Sequence, residues 1–305
     1  MRQEVCNTLV DMASDPSFVF LTGDLGYQAL EPLQVALGDR FINAGIAEQN
    51  MVGTAAGLAR EGMNAWVYSI APFMYARPFE QIRNDVCLHN LPVKLVGNGG
   101  GYGYGVMGST HHAIEDYGAL LCFKNIRAYV PAFSEDVPEA IASMNESPNP
   151  SYLRLGRSEK PADFKLPRYA PWRQLIAGDG PVVLAVGPVA GTYLDAFSKL
   201  PDWERPNFWV VTELPIEPKT IPTRLRCQLR TSQALMVIEE HVAQGGAGQM
   251  LTHALFAMGE TVPRFAHRCA AGYPSGRYGS QQFHREECGL DVASVMKSLQ
   301  GLCRS

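Results

Sequence analysis

Glu48 and His111 are the side chains whose neighbours best suit them to acid–base chemistry. Glu48 stands in Gly45-Ile-Ala-Glu48-Gln-Asn-Met-Val-Gly53-Thr-Ala-Ala56-Gly57. A turn ending in Gly45 leads into a helix with small residues on one face, Gly53, Ala56 and Gly57, where a backbone or ligand can approach closely. The helix macrodipole favours negative charge in that first turn, so by position alone Glu48 is an ordinary helix-start carboxylate. His111 follows Gly108-Ser109-Thr110 and precedes His112. An imidazole there can donate to, or accept from, a reacting oxygen.

Two glycine motifs point elsewhere. Gly103-Tyr-Gly105-Val-Met-Gly108 fits the GxGxxG pattern that brings a backbone against a pyrophosphate at a helix start. It lies inside a richer glycine tract, 97–108, and no acidic residue ends the next predicted strand, 127–131. A mobile loop over an active site is the better reading. Gly178-Asp179-Gly180, with Asn207 downstream, has the form of a magnesium–diphosphate motif. The strand 182–186 comes after it rather than before, so it reads as the tight turn entering that strand.

The elements around these residues alternate. Apolar runs at 18–22, 65–69, 93–97, 127–131 and 152–155 predict strands, and 47–60, 74–89, 112–121 and 135–144 have helical periodicity. Residues 1–11 read as a helix. A Pro-rich stretch of roughly 158–173 reads as a linker. A second alternating set follows, with strands at 182–187, 208–213 and 235–239 and helices to about 199, from 248 and from 290. The expected architecture is α/β: two consecutive domains with mostly parallel sheets flanked by helices, at 1–160 and 176–305 with a linker at 161–175.

Composition narrows the setting. The 305 residues are 46% hydrophobic and 18% charged, with a net charge of -4 and no long run of like charge. That disfavours nucleic acid and anionic membrane as principal partners. No charged-then-apolar leader and no apolar stretch of the roughly 18 residues needed for a span are found. The seven cysteines are scattered without a CxxC pair, which predicts neither a disulfide framework nor a zinc site and makes the cytoplasm the expected location.

Taken in order, Gly23-Asp24-Leu25-Gly26, Ile46-Ala47-Glu48-Gln49-Asn50, the run from Ser69 to Arg83, and Gly108-Ser-Thr-His111-His112-Ala-Ile-Glu115-Asp116 resemble the pyrimidine-binding domain of the transketolase and deoxyxylulose-phosphate synthase family. The likeness is greatest to the C-terminal subunit of transketolases split into two polypeptides. It extends through Tyr152-Leu-Arg-Leu-Gly-Arg157 and through Ile238-Glu239-Glu240-His241 with Gly245-Gly246-Ala247-Gly248, which look like the family's C-terminal domain.

The resemblance implies thiamine diphosphate as cofactor. Glu48 matches the glutamate that hydrogen-bonds N1′ of its pyrimidine, so that the 4′-amino group can act as base on the thiazolium. Phe73 matches the aromatic that stacks on the pyrimidine, Asp24 an acid near the cofactor, and His111 the histidine that approaches the substrate oxygen. Arg157 matches an arginine that can bind a substrate phosphate, with an interface ion pair as its bland alternative. Met107 departs from the pattern: the family has an aspartate there that reads a substrate hydroxyl, and a thioether cannot supply that charge-assisted bond. The first strand, 18–22, already belongs to the pyrimidine domain. The diphosphate and Mg2+ site is therefore expected on a separate N-terminal-type subunit, in an α2β2 assembly acting on a small keto donor and a sugar acceptor. A 2-oxo-acid decarboxylating β subunit and a non-catalytic regulatory subunit are the alternatives.

Overall fold

The computed structural model describes residues 1–157 and 159–303. Ser158, at the start of the predicted linker, and the last residues of the predicted second domain, 304–305, lie outside the described residues. In chain order the first part comprises α1 (Arg2–Asp11), β1 (Phe18–Thr22), α2 (Glu31–Leu37), β2 (Phe41–Asn43), α3 (Glu48–Arg60), β3 (Asn64–Ile70), α4 (Ala71–Tyr75), α5 (Phe79–Gln81), β4 (Lys94–Asn98), α6 (Asp116–Leu120), β5 (Arg127–Tyr129), α7 (Val137–Glu146) and β6 (Ser151–Leu155). The second comprises β7 (Trp172–Ile176), β8 (Val182–Val186), α8 (Leu194–Ser198), β9 (Asn207–Val211), β10 (Glu213–Leu214), α9 (Thr223–Ser232), β11 (Ala234–Ile238), α10 (Ala247–Ala257), β12 (Arg264–Arg268), α11 (Gln281–Glu287) and α12 (Val292–Cys303).

The strands form a seven-stranded sheet, β10-β5-β6-β4-β3-β1-β2, and a five-stranded sheet, β12-β11-β8-β9-β7. Both are parallel except at one edge, where β10 runs against β5 and β7 against β9. Parallel strands need helical crossovers, which cover both faces, so the central strands are buried throughout. In β1 the side chains divide by alternation. Phe18 and Phe20 pack with the α1, α2 and α7 residues Val5, Leu33 and Ile141, whereas Val19 and Leu21 pack with Met51 and Val52 of α3. The α3-side core continues without a break into the second sheet through Leu184, Val211 and Val237.

Several elements differ from the sequence expectation. The helix predicted at 74–89 is broken into α4, α5 and a π-type turn at Ile82–Cys87. Pro78, at the break, has no amide hydrogen to continue the helix. The helix predicted at 112–121 begins only at Asp116, because Ala113 is extended and pairs with Gly101. β7 begins inside the stretch read as linker. β2, β10 and β12, and helices α2, α9 and α11, were not anticipated: β2 and β10 are very short, and α9 is largely polar, with Leu225 and Leu229 as its buried residues.

The two sheets are joined in part by Asp136. Its carboxylate accepts from the amides of Ala132 and Phe133 and from Arg173 of β7, at 2.8 Å to Nη1 and 2.5 Å to Nη2. Both side chains are almost fully buried, at 3% and 2% exposure, so removing one strands the other's charge. Asp136→Ala is expected to lower the unfolding free energy in urea by about 3 kcal/mol. Lys199→Ala, which breaks the exposed Lys199–Asp195 pair, should leave the midpoint unchanged.

Candidate active site

Register places the carboxyl ends of β6, β4, β3, β1 and β2 side by side, since Leu155 aligns with Asn98, Asn98 with Ile70, and Thr22 with both Tyr68 and Asn43. The loops leaving these ends are the natural ligand edge of a parallel sheet. They carry Gly23-Asp24, Gly45 to Glu48, Phe73, the glycine tract with His111, and Arg157.

Glu48 opens α3 and is 5% exposed. Gly23 lets the loop after β1 approach it: a Cβ there would lie 3.2 Å from the Gly45 carbonyl. Asn43 fixes the approach. Its Oδ1 accepts from the amides of Asp24 and Gly45, both at 3.0 Å, and its Nδ2 donates to the Asp24 carboxylate at 3.2 Å. Asp24 itself is exposed, with a left-handed φ of 54°, on a cleft of about 190 Å3 that also touches Thr22, Tyr27 and Glu31. Asn43 gave no signal in the sequence because the strand it ends is only three residues long.

Glu48, Phe73 and His111 are brought together. Arg77 Nη1 donates to Glu48 Oε1 at 2.6 Å, and the same guanidinium lies 3.6 Å from the Phe73 ring centroid. The Phe73 ring is 5.2 Å from that of His111, inclined by 64°, and Tyr104 flanks His111 at 5.8 Å. The Thr110 hydroxyl engages His111 Nδ1 at 2.9 Å, which leaves Nε2 without a hydrogen-bond partner among the described residues. Met107 ends a short turn after Tyr104 and is 53% exposed. Arg157 is exposed, makes no ion pair among the described residues, and borders a small cleft with Gly100, Arg154 and Arg285. Among the described residues the alternative of an interface ion pair is not formed, and no contact joins Arg157 to Glu48 or His111.

The glycine tract read as a mobile loop is instead tied down. The amides of Gly99 and Gly100 donate to the Leu155 carbonyl, and Gly101 exchanges both backbone bonds with Ala113. Gly101 has φ of 64°, and a Cβ there would lie 2.5 Å from the Glu240 carboxylate, which accepts from the Tyr102 amide at 2.6 Å. Glu240 also holds Gln281 and Arg285 of α11. No helix starts at Gly108, so the tract is not a dinucleotide site. In Gly178-Asp179-Gly180, the amides of Asp179 and Gly180 donate to the Asp202 and Arg205 carbonyls, and Asn207 bonds the Gly180 carbonyl and Gln174. The motif is the turn into β8. No cluster of three or more potential metal-ligating side chains occurs among the described residues.

The family profile described as "Transketolase, pyrimidine binding domain" matches residues 4–162, just over half of the chain. The chain is 31% identical over 265 residues to the B subunit of the apulose-4-phosphate transketolase of Actinobacillus succinogenes, covering 85% of this chain and 83% of that protein. The chain belongs to the transketolase family. It also resembles 1-deoxy-D-xylulose-5-phosphate synthase 2 of Geobacter sulfurreducens, at 33% identity over 86% of this chain but only 42% of that longer protein. Among solved structures, a split-gene transketolase described as an inactive beta4 tetramer superposes with a TM-score of 0.82 at 28% identity, covering 99% of this chain and 97% of that one. Within the transketolase family, the relatives matched over most of both chains include B-type chains of split enzymes. No helix among the described residues is long and apolar enough to cross a membrane.

Two buried histidines fasten the His111 loop to the second half of the chain. His112 Nε2 donates to the Gly105 carbonyl at 2.8 Å and Nδ1 accepts from the Tyr273 hydroxyl. His241 Nδ1 donates to the Val242 carbonyl and Nε2 accepts from the Gly118 amide. Each ring is thus bonded as the neutral tautomer, and burial is the main reason that both are held below the ordinary histidine value. The unfolded chain takes up these protons first. Their contribution is therefore complete above about pH 6.5 and is lost as the pH falls from there through the folded-state values. Urea unfolding is expected to show lower stability at about pH 5.5 than at about pH 7.5, with a smaller difference in His112→Phe and in His241→Phe.

Proposed function

We propose that this chain is the pyrimidine-binding subunit of a thiamine-diphosphate-dependent enzyme that transfers a two-carbon ketol or acyl unit to a sugar acceptor. A separate subunit would hold the diphosphate and Mg2+, in an α2β2 assembly. Membership of the transketolase family supports the reaction class, and one observation carries the assignment of the site. The Phe73 ring and the Glu48 carboxylate together hold a planar group bearing N–H donors, here the Arg77 guanidinium, at 3.6 Å and 2.6 Å. An aminopyrimidine offers comparable features, a flat face for the ring and a basic ring nitrogen that can share a proton with the carboxyl group, so the residues present fit it.

The bound cofactor would supply a carbon nucleophile that attacks the donor carbonyl. Glu48 shares a proton with N1′ of the pyrimidine and is buried enough that water competes poorly for it. Phe73 sets the plane of the ring. His111, whose Nδ1 is taken by Thr110, presents Nε2 to move a proton at the substrate oxygen. Asp24 and Asn43 hold the loop that borders Glu48. Arg157 would reach a substrate phosphate only if the substrate extends beyond the His111 cluster.

Met107 shapes the choice of donor. An exposed thioether where an aspartate would read a donor hydroxyl favours an acyl donor such as pyruvate over a hydroxylated ketose. The relative from Actinobacillus succinogenes is named for apulose 4-phosphate, which belongs among the donors to be tried.

The test is donor consumption by the chain combined with a diphosphate-binding partner, thiamine diphosphate and magnesium, with ketose phosphates and pyruvate offered separately. Turnover is expected to need both chains and to fall at least about 100-fold in Glu48→Ala. Met107→Asp is expected to shift preference towards hydroxylated donors. Full activity of the chain alone, or of Glu48→Ala with its partner, would contradict the assignment.

A further inference from the structure

Arg77 fills the one place where the Phe73 face and the Glu48 carboxylate converge, and the function proposed above does not use it. Its guanidinium is flat and delocalised, and it carries donors in a fixed fork. It therefore satisfies the same two demands, a stacked ring and a hydrogen-bonded carboxylate, that a heterocyclic base would satisfy. Arg77 lies on the Phe73 face and on Glu48 Oε1, so a group that is to stack and bond in that same place must displace it.

We propose that Arg77 is an internal occupant of the pyrimidine site, which the cofactor must displace to bind. The proposal rests on the reading of Glu48 and Phe73 as pyrimidine ligands. Two features of the chain make exchange feasible. Arg77 lies in the turn between α4 and α5, directly before Pro78, so its side chain can swing without breaking a helix. The burial of the pair is also lopsided: Arg77 is 42% exposed and Glu48 5%. Arg77 can return to water at small cost, whereas a buried carboxylate left bare loses the full worth of its hydrogen bond. The site therefore resists standing open and favours replacement of one donor by another. In the free chain the same contact shields Glu48 and Phe73 from unrelated ligands. Arg77 thus sets both the affinity of the site and its selectivity for a group able to outbid a guanidinium.

The experiment uses the full chain and 4-amino-2-methylpyrimidine, the cofactor's heterocycle, as probe. Calorimetric titration would compare wild type, Arg77→Ala, Arg77→Lys and the double variant Arg77→Ala/Glu48→Gln. In parallel, the guanidinium resonances of 15N-arginine-labelled chain would be followed, with Arg77→Lys providing the assignment. Arg77→Ala is expected to bind the probe about tenfold more tightly than wild type, with Arg77→Lys between them because an ammonium pairs with Glu48 but stacks poorly. The Arg77 resonance should move to the position of a solvent-exposed arginine as wild type saturates. Equal or weaker binding by Arg77→Ala, or a resonance unmoved at saturation, would overturn the proposal and make Arg77 a co-ligand, leaving the cofactor reading intact. Undiminished binding by the double variant relative to Arg77→Ala, or no binding by any chain, would overturn the proposal together with the pyrimidine reading.

Discussion

Two adjacent buried carboxylates, Glu239 and Glu240 just after β11, hold the His111 side of the site and the second half of the chain together. Glu239 is fully buried and accepts from the Ala247 and Gly248 amides at the start of α10, from His267 Nε2 at 2.7 Å, and from the Tyr117 hydroxyl of α6. Burial alone would raise its pKa, but these donors, His267 foremost, bring it below the ordinary value. Glu240 faces the other way, onto Tyr102 in the glycine tract and Arg285 in α11. Beside them Arg154 of β6 bonds Asp116, the Ala113 carbonyl and the Glu240 carbonyl, each at 2.8 Å. The His111 loop is therefore bracketed by charged groups from both sheets, and its position depends on the two halves of the chain staying docked.

On the opposite side of the site the constraint is lighter. Glu48 rests on the approach of the loops after β1 and β2, which Gly23 permits and Asn43 fixes. Phe73 sits on a short helix with breaks behind it. The His111 imidazole, on the firmly tied loop, thus lies against Phe73, whose ring shares Arg77 with the Glu48 carboxylate. Such an arrangement would suit the site proposed above, with an imidazole already in place and a Glu48–Phe73 platform that Arg77 covers in the chain by itself.

The sequence made legible what local pattern controls. The apolar run of β1 and the helix headed by Glu48 appear at their predicted places because burial on both faces and helix-start chemistry leave local marks. The helix-start carboxylate acquired a role only through the words around it. The Gly178-Asp179-Gly180 turn could be separated from a phosphate motif by strand order alone. Arg77 was invisible, because its pairing with Glu48 spans 29 positions and nothing local marks it. Glu239, Glu240 and His241 were read only as part of a resemblance, since three polar residues after an apolar run normally signal exposure, and it is their tertiary partners that keep them buried. The loop expected to move proved fastened for a related reason: among its tethers is Glu240, more than a hundred residues away.

The central claim is that Glu48 activates a cofactor shared with a second chain. The rate at which the thiazolium C2 proton of thiamine diphosphate exchanges with deuterium tests this before any donor is chosen. Measured by quench and proton NMR on the assembled complex, exchange should be accelerated only when both chains are present. It should slow by about 100-fold or more in Glu48→Gln. Exchange that is equally fast in Glu48→Gln, or accelerated by the partner alone, would contradict the account.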